Sequence, residues 1–286
     1  MKIFSLFARR DTTNARSLRA DGPLPASSRM ANIGCGAVFH PGWDNFDFTP
    51  IDPGVRKIDL ARPIPFKPAT YGTCYLSHVL EHLSRQRVPS LLGEIWQSLQ
   101  PGGVLRIVVP DLEVIAQLYL RELLAAAAAT DDEAYLRHEW MTLELIDQMT
   151  RTFSGGFMGR TLRSRPLPHR EFIEKRIGWE GKHWLESVDR ALQAGSEVLP
   201  PAEVYRAAQP EGAQEAVFRR SGEVHRWMYD RVSLRRILEE SGYINITVCR
   251  ADESRIPKFA NYNLDTDESG SVRKPDSLFM EASKPA

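Results

Sequence analysis

Apolar positions along the chain fall into short runs that end at turn residues, with longer helical periodicities between them. Met30 to Ile33 is a brief apolar run stopped by Gly34-Cys35-Gly36, and Trp43 to Phe48, Arg56 to Leu60 and Thr73 to Ser77 are three further strand-like runs. Leu91, Leu92, Ile95, Trp96 and Leu99 then recur with the i, i+3, i+4 spacing of a helix that buries one face. Pro101-Gly102-Gly103 turns the chain, and Val104 to Val109 reads as a buried strand because its apolar residues are nearly continuous. Asp111 can cap a helix that runs through Val114, Ile115, Leu118, Leu120 and the Ala125–Ala129 tract, and a second helical pattern covers about 133–149. Leu234, Ile237 and Leu238 mark a closing helix ended by Gly242, followed by strand-like Tyr243–Cys249 and Ser277–Ala282.

Strands that alternate with turns and helices predict an α/β fold with a mostly parallel sheet. The stretch from Leu112 to Gly222 is too long for one crossover, so a helical cap over 113–221 is expected as an insertion between strands 5 and 6. Residues 1–27 carry no clear periodicity and read as a loose arm, leaving 28–286 as the folded domain.

Composition narrows the function classes. Basic and acidic residues number 37 each, so bulk charge gives no support to a nucleic-acid or anionic-membrane partner. Cys35, Cys74 and Cys249 form no CxxC pair, which argues against a disulfide framework or a zinc ribbon. No apolar run approaches a bilayer-spanning length, and the N-terminal apolar stretch Ile3 to Phe7 is too short for a signal core, so the cytoplasm is expected.

Candidate chemistry begins at Asn32-Ile33-Gly34-Cys35-Gly36. A glycine turn at the end of a first strand lets the backbone approach a ligand, because glycine has no Cβ and tolerates positive φ. The turn is not GxGxxG, since Phe39 stands where the last glycine belongs, and no GxxxxGK[ST] is present. Asp47 and Asp59 follow at the ends of the next two strand candidates, where carboxylates can accept hydrogen bonds from ribose hydroxyls and an adenine amine. His78-Val79-Leu80-Glu81-His82 matches the HxxEH spacing of zinc peptidases, although capping or core histidines at a helix start explain it as well. His225, Tyr229 and Asp230 precede the closing helix, where a histidine near its free pKa could remove a hydroxyl proton, with Tyr229 and Asp230 orienting it. Residues 151–176 hold Arg151, Arg160, Arg163, Arg165, Arg170, Lys175 and Arg176 against Glu171 and Glu174, a net of +5. Such a run is either a solvated face or a clamp for an anionic acceptor.

Taken in order, NIGCG, WDNFD, IDLARPIPF, YLSHVLEHL and LQPGGVLRIVVPDLE resemble the class I, Rossmann-like S-adenosylmethionine-dependent methyltransferases. The closest likeness is to methyltransferases associated with polysaccharide and glycosyltransferase gene clusters, and GEVHRWMYDRVSLRRILEESGY and RKPDSLFMEASK extend it. The resemblance covers about 30–112 and 222–284. It implies a seven-stranded, mostly parallel sheet with the last strand antiparallel, and S-adenosyl-L-methionine as cofactor. It would place Asn32, Gly34, Cys35 and Gly36 at the methionine end, Asp47 at the ribose, Asp59 at the adenine, and Ser77 with His78 at the edge of the methionine moiety. Many relatives carry an acidic residue in place of Asn32 and a glycine in place of Val38. The ten residues between Gly36 and Asp47 leave room for a short turn where a long first helix is usual.

The expected activity is O-methylation of a sugar, glycan or other small-molecule hydroxyl, with an anionic acceptor as one form. His225 is the expected base, with His82 and Tyr229 as further catalytic candidates and no metal ligand assigned. Two rival readings are a non-catalytic module of the same fold in a polysaccharide-assembly complex, and a zinc metallopeptidase working through HxxEH.

Overall fold

In the computed structural model, residues 29–128, 132–206 and 211–286 are described. The arm expected over 1–27 lies outside them. Strands β1 (Arg29–Ile33), β2 (Asp44–Asp47), β3 (Val55–Lys57), β4 (Tyr71–Ser77), β5 (Leu99–Pro110), β6 (Ile244–Cys249) and β7 (Ser277–Ser283) form one seven-stranded sheet in the order β3-β2-β1-β4-β5-β7-β6. Neighbours from β3 to β5 pair in parallel, and β7 runs antiparallel to both β5 and β6. The sheet is Rossmann-like, as the alternation of strands and helices predicts.

The buried run of β5 supplies both faces. Leu105, Ile107 and Val109 pack with Ala31, Ile33, Cys74, Leu76 and Met280 in one core cluster. That face is covered by helix α1 (Arg87–Ser98), through Leu91 and Ile95, and helix α7 (Arg231–Glu240), through Leu234 and Leu238. Val104 and Val108 belong to the opposite face with Tyr75 and Phe279, against Trp43, Ala251, Ile256, Phe259 and Leu264. This second cover is mostly irregular chain from 250 to 264, tied down by polar contacts to Arg106, as described below.

Between β5 and α7 lie α2 (Leu112–Ala128), α3 (Asp132–Thr150), α4 (Gly156–Arg163), α5 (Arg170–Gln193) and α6 (Ala213–Phe218). Asp111 caps α2 by accepting from the Glu113 and Val114 N–H groups at 3.0 and 3.3 Å. These helices carry their own core of Ile115, Trp140, Met141, Leu143, Ile173 and Met228. No described helix is long and apolar enough to cross a membrane.

The β1–β2 connection contains turns and no helix, as the ten residues between Gly36 and Asp47 predict. One sequence expectation changes, because the third strand stops at Lys57 and Asp59 lies in the loop beyond it. Much of the basic run is engaged within the cap. Arg176 pairs with buried Glu144 at 2.7 Å, Arg170 with Asp189 and Glu174 at 2.7 Å, and Lys175 with Glu171 at 2.7 Å. Arg165 bonds to Asp189 and Arg151 to the Glu223 carbonyl, while Arg160 and Arg163 lie over the Phe153 and Trp184 rings. Glu144 and Asp189 lie outside the run, so charge counted within it overstated what is free.

Candidate functional site

Sheet order sets the location. β1 continues to β2 on one side, while β4 pairs with β1 on the other, so the carboxyl ends of β1 and β4 flank the point where strand order reverses. Open α/β sheets bind ligands in that crevice. Register aligns Ile33 with Phe46 and Leu76, and Asp47 with Lys57. Gly34, Asp47, Lys57 and Ser77 therefore stand level along one carboxyl edge.

The glycine turn is bonded to β2. Gly34 and Cys35 N–H groups donate to the Phe46 carbonyl at 2.8 and 3.0 Å. Gly36 N–H donates to Asp47 Oδ2 at 2.8 Å, and Thr49 N–H donates to Asp47 Oδ1 at 2.9 Å. Each Asp47 oxygen keeps acceptor capacity after one such bond. Asn32 is buried, its amide donating to the Val38 carbonyl at 3.1 Å and to Asn45 Oδ1 at 3.3 Å, so it braces the turn from beneath. Cys35 is buried as well, and burial with the Asp47 charge pushes its thiol up to about 11. Asp59 closes a local turn by accepting from Ala61 N–H at 3.0 Å and pairs with Arg62 at 3.2 Å.

The two glycines do different things, although both have positive φ (73° at Gly34, 52° at Gly36). A Cβ on Gly34 would collide with Val79 Cγ2, so that position is close protein packing. A Cβ on Gly36 would meet nothing within 4 Å. Space for a ligand therefore opens at Gly36.

Val79 leads from the turn into a second group. His78 follows Ser77 at the end of β4 with φ of 54°, a left-handed conformation that a histidine rarely adopts. Its N–H donates to the Val108 carbonyl at 2.9 Å, and its Nε2 lies 2.8 Å from Ser277 Oγ. A single 3-10 turn, Leu80–His82, carries Glu81 and His82. HxxEH thus lacks the long helix that would put His78 and His82 on one face as a peptidase pair.

The loop before α7 is fastened over this turn. Arg226 N–H donates to the Glu81 carbonyl at 2.6 Å, and His225 N–H donates to the Gln148 carbonyl of α3 at 2.9 Å. The His82 and His225 rings meet edge to face, 4.7 Å between centroids. Glu81 is 0% exposed and His225 4%. Both Glu81 oxygens, Nδ1 of His82, Nδ1 of His225 and the Tyr229 hydroxyl are buried without a hydrogen-bond partner.

Burial dominates the electrostatics. It pushes Glu81 up to about 8 and, with the Glu81 charge, Tyr229 up to about 12. Burial lowers His82 to about 4, with Arg151 adding to the effect, and His225 to about 3, with His82 adding to it. His78 is also held well below the usual histidine range, by burial first and then by Lys274. The expectation of a His225 near its free pKa is therefore corrected. So is its expected support. Asp230 Oδ1 accepts from the Val232 and Ser233 N–H groups as the cap of α7, and among the described residues the Tyr229 hydroxyl has no hydrogen-bond partner.

His225 also lies in the wall of an open basin of about 620 Å³. Arg85, Arg219, Arg220 and Arg226 line it, with no acidic residue in the lining. Sequence reading passed over these arginines, because three come from the 219–226 region and one from the α1 approach, and no local run announces them. It also left Glu81 without a role outside the peptidase motif.

No protein-family model matches the chain, and no curated protein matches it. Among solved structures, the chain is similar to a SAM dependent methyltransferase from Archaeoglobus fulgidus, at 12% identity and a TM-score of 0.39, over 91% of this chain and 88% of that one. It is similar to an S-adenosylmethionine dependent methyltransferase from Mesorhizobium loti, at 12% identity and a TM-score of 0.35, over 92% and 94% of the two chains. A third is the CurJ carbon methyltransferase, at 12% identity and a TM-score of 0.38, where the match covers 92% of this chain and it spans 50% of the other.

Proposed function

We propose that the chain is an S-adenosylmethionine-dependent methyltransferase acting on an oxygen of a sugar, glycan or other small-molecule acceptor, with polysaccharide assembly as its setting. The observation that carries this reading is the single row of Gly34–Gly36, Asp47 and Ser77 along the carboxyl edge at the strand-order reversal, with Asp59 just beyond the end of β3. Bound there, S-adenosylmethionine supplies an electrophilic sulfonium methyl group.

The residues present fit such a group. Open space at Gly36 admits its methionine end past the backbone, and Asp47 retains lone pairs for ribose hydroxyls. Asp59 stands nearest the adenine, and Ser77 with His78 bounds the methionine side. Asn32 and Cys35 act through the turn, which they hold in shape from buried positions. The acceptor enters from the arginine-lined basin, which favours an anionic one such as a phosphorylated glycan or nucleotide-sugar. His225, His82 and Tyr229 then face the acceptor oxygen. Because the sheet and the loop before α7 already hold both reactants' sites, most of the rate comes from proximity and orientation.

Calorimetric titration of S-adenosylmethionine into the full chain tests the reading. We expect saturable binding that Asp47→Ala weakens by about 2–3 kcal/mol, the worth of hydrogen bonds to a charged acceptor. A folded wild type that takes up no cofactor would overturn the reading and leave the non-catalytic module in its place.

A further inference from the structure

We propose that Glu81, His82 and His225 form a binding site for one divalent transition-metal cation, of which zinc is the type. Three donor atoms, one carboxylate oxygen and one ring nitrogen from each histidine, lie within 4.8 Å of one another. A cation among them would be within ligand reach of all three after small side-chain adjustments.

Two features of the cluster ask for such an occupant. First, Glu81 is 0% exposed, yet neither of its oxygens accepts a hydrogen bond. Its nearest cationic or imidazole neighbours are His78 Nδ1 at 3.5 Å and His82 Nε2 at 4.0 Å, both beyond direct bonding. Burying a carboxyl group costs free energy unless it is hydrogen-bonded, paired or bound to a metal. Second, Nδ1 of His82 and Nδ1 of His225 are buried without a hydrogen-bond partner, and each ring offers a nitrogen to the same cluster as the carboxylate.

The surrounding chain holds the donors in place. Glu81 and His82 are adjacent on one tight turn, and the Arg226 N–H bond to the Glu81 carbonyl fixes the His225 loop against that turn. His78 acts behind the ligands, because its Nε2 is engaged with Ser277 Oγ at 2.8 Å while its Nδ1 faces Glu81. Outer contacts of this kind orient a metal-bound carboxylate.

Donor chemistry selects the metal class. Two imidazoles and one carboxylate suit zinc, iron or manganese, whereas calcium and magnesium prefer all-oxygen sites. Three protein ligands leave a coordination position open, as in catalytic zinc sites, and His225 borders the arginine-lined basin. An acceptor oxygen entering from that basin would fill the open position. This ligand set differs from the HxxEH peptidase pair, because His225 takes the place of His78. It would add metal ligands where the sequence reading assigned none.

The site shares His82 and His225 with the acceptor side of the proposed methyl transfer, and its test keeps zinc binding separate from cofactor binding. Chain stripped with a chelator is titrated with zinc sulfate against a chromogenic competitor, with thermal melts at each zinc level. We expect one equivalent per chain and a Tm that climbs with free zinc. Glu81→Gln, His82→Ala and His225→Ala should each weaken zinc at least tenfold, with His183→Ala at an exposed position unchanged. Circular dichroism shows which variants are folded, and Glu81→Gln preserves the side chain's shape. A wild type without stoichiometric zinc, or a folded Glu81→Gln that binds zinc as tightly as wild type, would overturn the proposal. S-adenosylmethionine titrations of the stripped protein report on the cofactor independently of either result.

Discussion

Two buried polar clusters sit on the same sheet and are built in opposite ways. In the first, Tyr75, Arg106 and Glu281 stand in register across β4, β5 and β7. Arg106 is 0% exposed, and its Nε donates to Asp265 at 2.6 Å while Nη1 donates to Glu281 at 2.8 Å. Its remaining N–H groups reach the carbonyls of Glu253, Arg250 and Ala251, and Tyr75 Oη donates to Asp265 at 2.6 Å. Arg255 N–H and Ser254 Oγ complete the Glu281 carboxylate. This network pins the irregular 250–264 cover to the sheet. In the second cluster, both Glu81 oxygens, Nδ1 of His82, Nδ1 of His225 and the Tyr229 hydroxyl are buried without a hydrogen-bond partner. The chain therefore has the means to satisfy a buried carboxylate and does so where the role is structural. At the second cluster the proposed cation would supply the missing partner.

The largest effect is expected at the satisfied cluster. Arg106→Met leaves two buried carboxylates without their cation and should cost about 3–5 kcal/mol of stability, a fall in Tm of roughly 6–20 °C. Urea unfolding monitored by circular dichroism measures it, and a loss under about 1 kcal/mol would erase the structural half of the contrast.

A matched pair of tyrosines gives the next step. Tyr75 and Tyr229 are each 3% exposed, but only Tyr75 spends its hydroxyl, on Asp265. Tyr75→Phe should cost about 1.5–3 kcal/mol, while Tyr229→Phe should fall within about 0.5 kcal/mol of wild type. Equal losses in the two unfolding curves would mean that Tyr229 has a partner after all.

The smallest shift is expected at Glu81. In metal-free protein, Glu81→Gln removes an unpaired buried carboxylate, so its stability should equal that of wild type or exceed it by up to about 1–3 kcal/mol. A clear loss of stability in the metal-free variant would show that Glu81 is held by the protein itself, and the contrast between the clusters would disappear.

The carboxyl edge of β1, β2 and β4 was legible because its signals are local. A strand, a glycine turn and an aspartate at the next strand end are written within 31–47, and parallel pairing puts them side by side almost automatically. The capping role of Asp111 was equally local, whereas only the tertiary structure showed Asp230 capping α7. Arg106 hid in plain view, since one arginine in a near-continuous apolar strand does not reveal partners 159 and 175 residues away. The pairing of the basic run was hidden for a related reason, as its acidic partners Glu144 and Asp189 lie on neighbouring stretches of helix.

By itself the sequence determined the α/β sheet, the glycine turn, the aspartate at the end of β2 and the place of the inserted helices. All of these follow from backbone conformation and from periodicity over a few residues. Only the tertiary structure decided which glycine leaves room for a ligand, that Glu81 is buried without a partner, and that His82 meets His225. Those properties depend on what is brought into contact from distant parts of the chain, and burial then sets the charge state and ligand capacity of each group.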